Sequence, residues 1–182
     1  MAEDKLRFEP LDKRRHVRAA FSCGQEPLDD YLKQQANQDL KKRVAAVFVL
    51  TPDGKQIAGY YTLSQYAVDA GELPPEVTRK LGLPKYSELP ATLLGRLARS
   101  TEFGGKGIGE LLLMGALRQA LNQSKKIASM CVVVDAKDDN AKNFYNKYGF
   151  IELPDHPHRL VLPMETIAQM FPEEDAPEAG LR

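Results

Sequence analysis

A chain of 182 residues suits one domain, because two full hydrophobic cores would be cramped at that length. It is 43% hydrophobic and 27% charged, an ordinary globular composition that excludes a chain too polar to fold. Its 25 Lys and Arg balance 25 Asp and Glu, so the total charge does not point to a strongly basic nucleic-acid binder. The balance is uneven along the chain. In residues 171–182, Glu173, Glu174, Asp175 and Glu178 outweigh Arg182, a net of −3 that leaves +3 for the rest. The start, Met1-Ala2-Glu3-Asp4-Lys5, has no apolar core behind a basic segment, so a secretory signal is not expected. No apolar run approaches the ~20 residues of a membrane helix, so no membrane partner is expected. Cys23 and Cys131 form no CxxC pair, and the expected compartment is a reducing cytoplasm.

In chain order, Leu6, Phe8 and Leu11 begin a short strand. Pro27 suits a first helical turn, and Leu28, Tyr31, Leu32 and Leu40 recur on one helix face ahead of the basic run Lys41-Lys42-Arg43. Val44 to Leu50 and Gln56 to Val68 read as strands joined by the turn Pro52-Asp53-Gly54, an antiparallel hairpin. Pro74, Pro75, Pro84 and Pro90 leave room for only a short helix over residues 70–90. Thr92 to Ala98 is a third strong strand. The turn Gly104-Gly105-Lys106-Gly107-Ile108-Gly109 then opens a helix carrying Leu112, Leu113, Ala116, Leu117, Ala120 and Leu121. Ile127 to Val134 reads as a buried strand. Asp138 caps a helix that runs to Tyr148 and stops at Gly149. Phe150 to Leu153 and Leu160 to Leu162 form a last hairpin. The order predicts a mixed α/β fold, with residues 1–170 as one domain and 171–182 as an acidic, disordered tail.

Two stretches can carry chemistry. A strand feeding a glycine-rich turn and a helix N-terminus makes an anion site: backbone N–H groups converge, the helix dipole adds positive charge, and missing side chains let a phosphate approach. The bland alternative is a turn that needs glycine only for positive φ. Gly-Lys is not followed by Ser or Thr, so this is not a Walker loop, and Glu110 stands where a dinucleotide fingerprint needs its third glycine. The second stretch is the helix around Asn140, Asn143, Phe144, Tyr145, Tyr148, Gly149 and Phe150. Its 3–4 spacing groups Ala141, Phe144 and Tyr148 on a core face with Tyr145 beside them. A tyrosine of ordinary pKa ~10 is protonated at neutral pH and can donate to a thiolate of pKa ~8.5, although one that merely packs is the plain alternative. Among the remaining residues, His156 and His158 form a His-x-His without the companions of a metal site, so no metal is expected. Cys131 reads as a core residue and Cys23 as the more exposed one.

The Gly-x-Gly-x-Gly helix start, followed by a strand and then by Asn–x–x–Asn-Phe-Tyr–x–x–Tyr-Gly-Phe, resembles the GNAT acetyltransferase superfamily from about Phe21 to Leu162. Five further stretches resemble the GNAT toxins of bacterial toxin–antitoxin pairs, which acetylate aminoacyl-tRNA. They are Phe21-Ser22-Cys23-Gly24, Leu28-Asp29-Asp30-Tyr31-Leu32, Gly59 to Ser64, Leu93 to Ala98 and Val134 to Lys137.

The resemblance implies a GNAT-like mixed, mostly antiparallel sheet flanked by helices. It implies acetyl-CoA in the gap where Leu94–Ala98 splays from Ile127–Val134. Leu97, Ala98 and Arg99 would then bond the pantetheine and polarise the thioester, and Gly104, Gly105, Lys106, Gly107, Ile108 and Gly109 would hold the pyrophosphate. Asn140 would contact the pantetheine arm and Tyr145 would protonate the departing thiolate. Gly104 stands where the family usually has Arg or Gln, and Arg99-Ser100 where the toxins often have Val-Asp. The acceptor favoured is the α-amine of aminoacyl-tRNA, because an amine of pKa ~7.7–8.0 is substantially neutral near physiological pH. Arg96, Lys41, Lys42 and Arg43 would meet the tRNA. The implied protein partner is a ribbon-helix-helix antitoxin, with a homodimer left open. The rival readings are acetylation of a protein N-terminus or a small amine, an inactive GNAT domain that binds a partner, and a nucleotide-binding βαβ unit.

Overall fold

In the computed structural model, which describes residues 5–82, 86–105 and 107–172, the elements follow the chain as follows. β1 is Arg7–Pro10, α1 is Glu26–Asp30 and α2 is Ala36–Lys41, with a π-helical turn, Tyr31–Gln35, between the helices. β2 (Ala46–Thr51) and β3 (Gly59–Asp69) lead to a 3-10 turn and α3 (Pro75–Leu81). β4 (Glu88–Arg99), α4 (Ile108–Ser124), β5 (Cys131–Asp135) and α5 (Asp139–Lys147) follow, then β6 (Ile151–Leu153), β7 (His156–Pro163) and α6 (Met164–Met170). The seven strands hydrogen-bond in the order β1-β2-β3-β4-β5-β7-β6, with antiparallel pairing at β1–β2, β2–β3, β5–β7 and β6–β7. This is the mixed, mostly antiparallel α/β sheet that the sequence implies. The chain divides into two compact units, Met1–Ser64 with Leu94–Ala116, and Gln65–Leu93 with Leu117–Arg182.

In the first unit, β2 pairs with β3 from Ala46↔Leu63 to Leu50↔Gly59. The turn that closes this hairpin is built by Asp53, whose carboxylate accepts the N–H groups of Lys55 and Gln56 at 2.8 Å each. Those backbone bonds hold its carboxyl below the usual range. Leu11, Phe21, Leu32, Val47, Val49 and Tyr60 form the core of the unit. Ile108, Leu112, Leu113 and Ala116 of α4 are buried as their helical spacing predicts. Gly115 is small for a reason: a β-carbon there would run into the Phe8 ring. A buckle closes the loop after β1. His16 is buried and its Nδ1 accepts the Asp12 N–H at 2.9 Å, so its proton sits on Nε2, which lies 2.9 Å from the Glu9 carboxylate.

In the second unit, β5 is buried from Cys131 to Val134, as a strand covered on both faces must be. It pairs with β7 from Cys131↔Pro163 to Asp135↔Arg159, where Arg159 bonds Asp135 at 2.7 Å. The head of β4 is tied to the chain entering β5 by Met130 N–H to the Pro90 carbonyl, 2.9 Å, and by the Thr92 and Ser129 hydroxyls, 2.8 Å apart. Val68, Leu73, Leu89, Val133, Leu153 and Val161 form the core here. His156 and His158 lie on β7 beside Glu72 and Asp139, and the described residues contain no cluster able to hold a metal. Cys131 is buried and Cys23 half-buried, as expected. Among the described residues, no helix is long and apolar enough to cross a membrane.

Several boundaries move. Val44 is 60% exposed and precedes β2, because Arg43 ends α2 in a left-handed turn (φ 58°) and the Val44 N–H bonds back to Asp39. Ile127 is 64% exposed and its N–H returns to Gln123, so the strand expected from Ile127 begins at Cys131. The helix expected after Pro27 is interrupted by the π turn, and α6 appears after Pro163 where no helix was expected. Phe171, assigned to the tail, lies under the Arg118 guanidinium at 4.9 Å. Residues 173–182, Pro84, Lys85 and Lys106 lie outside the described residues.

Candidate functional site

The glycine turn and the end of β4 belong to the first unit. Along β4, Leu97 is half-buried, Ala98 is 4% exposed and Arg99 is exposed. The chain then breaks away from the strand. Ser100 N–H bonds the Ala58 carbonyl and Thr101 N–H the Ser22 carbonyl, both at 2.8 Å, before a 3-10 turn at Thr101–Phe103. Gly105 and Gly107 take φ of +76° and +67°, and a β-carbon on either would meet nothing within 4 Å. They supply a conformation that other residues adopt only with strain, beside open space. Among the described residues, the first helical N–H to find a carbonyl here is that of Leu111, which bonds Gly107 at 3.0 Å. The N–H groups of Gly105, Gly107, Ile108 and Gly109 have no acceptor among the described residues. Free donors, the α4 N-terminus and room without side chains are what a diphosphate requires. Gly104 is exposed at the start of this turn.

The second unit carries α5. Asp138 caps it by accepting the Ala141 N–H at 2.8 Å, as expected. Asn140 is exposed in the first turn. Tyr145 corrects the expected helix face. It is the buried residue of α5, 8% exposed, while Ala141, Phe144 and Tyr148 are half-buried. The reason lies beyond the helix. Gly149 (φ +92°) turns the chain so that the Phe150 ring meets the Tyr145 ring edge-on at 5.3 Å, and the Phe144 ring also meets it edge-on at 5.3 Å. Burial pushes the Tyr145 phenol up to about 12. Its hydroxyl has no hydrogen-bond partner among the described residues, although a tyrosine that only packs ordinarily bonds its hydroxyl.

Of the basic candidates, Lys41, Lys42 and Arg43 are exposed at the end of α2 and form no ion pair among the described residues. Arg96, in the same unit, lies with its guanidinium carbon 3.5 Å from the Tyr31 ring centroid. Tyr31 is buried in the core of the unit, as its helix face predicts; what the sequence did not show is that its ring also carries the Arg96 guanidinium. The Tyr31 hydroxyl donates to Asp39 at 2.9 Å. The signal available was the spacing of Tyr31, Gln35 and Asp39 along one helix face, which a plain apolar pattern hides.

A family model described as the acetyltransferase (GNAT) domain matches residues 43–152. The chain is 31% identical to the probable toxin TacT of Sinorhizobium fredii over 172 residues, covering 90% of this chain and 94% of that one. It is 32% identical to the tRNA-acetylating toxin of Mycobacterium tuberculosis over 146 residues, covering 80% and 85%. Among solved structures, AtaT complexed with acetyl-methionyl-tRNAfMet matches with a TM-score of 0.84 and 26% identity, over 92% of this chain and 99% of AtaT. The family match spans both the glycine turn and the tyrosine-bearing helix, and the chain belongs to the GNAT acetyltransferase family.

Proposed function

We propose that the protein moves the acetyl group of acetyl-CoA to the α-amine of aminoacyl-tRNA, in the cytoplasm, as the toxin of a toxin–antitoxin pair. The observation that carries the acceptor is the likeness, over most of its length, to proteins described as acting on tRNA. AtaT is also described with the C-terminus of its antitoxin AtaR, and the AtaTR pair with acetyl-CoA, which supports a protein antitoxin here; a ribbon-helix-helix partner follows from the sequence resemblance.

The roles follow from each residue's surroundings. The N–H groups of Gly105, Gly107, Ile108 and Gly109, which have no acceptor among the described residues, suit the pyrophosphate. Leu97, Ala98 and Arg99 offer backbone groups to the pantetheine and thioester, and Asn140 an amide to the pantetheine arm. The amine's lone pair attacks the thioester carbonyl carbon, the C–S bond breaks, and the nitrogen gives up one proton while sulfur gains one. Tyr145 is the donor to sulfur. With its pKa raised to about 12 it holds its proton throughout the neutral range. A tyrosinate beside a thiol of pKa ~8.5 is uphill, so the ammonium formed on the attacking nitrogen, a far stronger acid, must replace that proton. No nucleophilic dyad is required.

The test is to incubate the protein with acetyl-CoA and charged tRNA, and in parallel with N-terminal peptides and polyamines. N-acetyl-aminoacyl-tRNA is the expected product. Acetylated peptides or polyamines with none on charged tRNA would overturn the acceptor and leave the transferase.

A further inference from the structure

We infer that Tyr31, polarised by Asp39, is the positioning residue that presents Arg96 to a phosphodiester of the acceptor's nucleic-acid end. This rests on the tRNA reading above and adds to it how the cation is aimed. The Arg96 guanidinium lies on the Tyr31 ring at 3.5 Å, and it makes no hydrogen bond or ion pair among the described residues. The guanidinium is half-buried, and its N–H donors remain available to a ligand. Stacking holds one flat face and leaves the N–H edge open, and that edge matches two phosphate oxygens at once. The residue next along β4 is Leu97, so the edge is presented from the strand whose end is proposed to hold the thioester.

The support beneath the ring is built rather than incidental. The Tyr31 hydroxyl donates to one Asp39 oxygen at 2.9 Å, and Gln35 Nε2 donates to the other at 2.8 Å. A carboxylate accepting a hydrogen bond from the phenol enriches the ring in electron density and strengthens its hold on a cation. The Tyr60 ring stacks with the Tyr31 ring at 6.2 Å and is itself pinned by a 2.7 Å bond from its hydroxyl to the Leu28 carbonyl. The helix widens at this place: the Ala36 N–H bonds the Tyr31 carbonyl across a π turn, and Arg18 bonds the Leu32 and Lys33 carbonyls at 3.3 Å each. Such a bulge costs helix regularity and frequently marks a functional position. Every one of these residues lies within the first unit.

The experiment is a double-mutant cycle read as KM for charged tRNA, its salt slope, and the acetyl-CoA dissociation constant by calorimetry. Arg96→Ala should raise KM about tenfold to a hundredfold and flatten the slope by about 0.7, the loss of one single-strand phosphate contact, with acetyl-CoA binding unchanged. Tyr31→Leu should flatten the slope likewise, and Tyr31→Phe, which keeps the ring, should restore most of the affinity. In the Arg96→Ala background both Tyr31 changes should have no further effect. If Tyr31→Leu does not fold, the Tyr31→Phe arm decides: its small KM increase must vanish when Arg96 is absent. Additive defects, or a Tyr31 variant that leaves the salt slope intact, overturn the proposal. A wild type that acetylates no charged tRNA overturns the acceptor reading and this proposal together, and is seen before any variant is made.

Discussion

Tyr145 shows how little separates a packing residue from a proton donor. Its ring is enclosed by Phe144 and Phe150, while its hydroxyl is left without a partner among the described residues. The two roles make opposite demands on Tyr145→Phe. A hydroxyl that only packed would leave kcat unchanged on removal; a donor to the leaving thiolate should cost ~10²–10⁴-fold in kcat. With no hydrogen bond to lose, the Phe variant should melt at or slightly above the wild-type temperature and keep its acetyl-CoA affinity. Stopped-time assays and calorimetry on the same preparation check both halves. A near-wild-type kcat would return Tyr145 to the core. The pH dependence follows from the same burial. A phenol pushed to about 12 keeps its proton below that pH, so it places no falling limb on kcat/KM in the neutral range. The rise of kcat/KM with pH should instead follow the acceptor, near ~7.7–8.0 for an α-amine.

At the scale of elements, the turn before α4 carries the clearest prediction. Gly107→Ala and Gly107→Glu share the strain of placing a side chain at φ +67°, about 1–2 kcal/mol, and neither meets an obstacle within 4 Å. Only the glutamate sets a carboxylate against an incoming diphosphate. Acetyl-CoA affinity should therefore fall much further in the Glu variant than in the Ala variant, at equal melting temperature, by calorimetry. Equal affinities in the two would remove the pyrophosphate from this turn. This element was legible in the sequence because backbone chemistry alone defines it: glycines with positive φ between an apolar strand and an amphipathic helix have few other uses. The β2–β3 hairpin was legible for the same reason, through Asp53 and Gly54. What the sequence hid depended on packing from afar. Periodicity placed Ala141, Phe144 and Tyr148 inward and could not register Phe150, beyond a glycine, drawing Tyr145 inward instead. An apolar run from Ile127 to Val134 looked uniform, although the N–H of Ile127 is spent on closing α4. The π turn at Tyr31–Gln35 breaks the helical register between α1 and α2, and no 3.6-residue pattern reports an inserted residue. Arg96 on Tyr31 could be named from sequence only one partner at a time.

For the molecule as a whole, the question is how a chain of zero net charge binds a polyanion. The neutrality is a sum of unlike parts. Residues 173–182 contribute −3 and the remainder +3, and among the described residues Arg96, Lys41, Lys42 and Arg43 have no ion-pair partner. Long-range attraction depends on the sum, whereas bound contacts depend on the local cations, and salt separates the two. The Debye length is ~8 Å at physiological ionic strength and ~30 Å at 0.01 M, so acidic residues that make no contact with the acceptor would weaken tRNA approach mainly in dilute buffer. Removing residues 173–182 should therefore lower the KM for charged tRNA at low salt and leave it unchanged at high salt, while kcat stays constant. The local cations are untouched by the truncation. The number of phosphates they neutralise, and with it the slope of log K against log salt at moderate to high salt, about 0.7 per contact on a single strand, should stay that of the full chain. A truncated protein whose KM matches the full chain at every ionic strength would show that the acidic residues do not act on the acceptor. A lowered KM that persists at high salt would mean that they occupy the binding surface directly, as a competitor for the same cations.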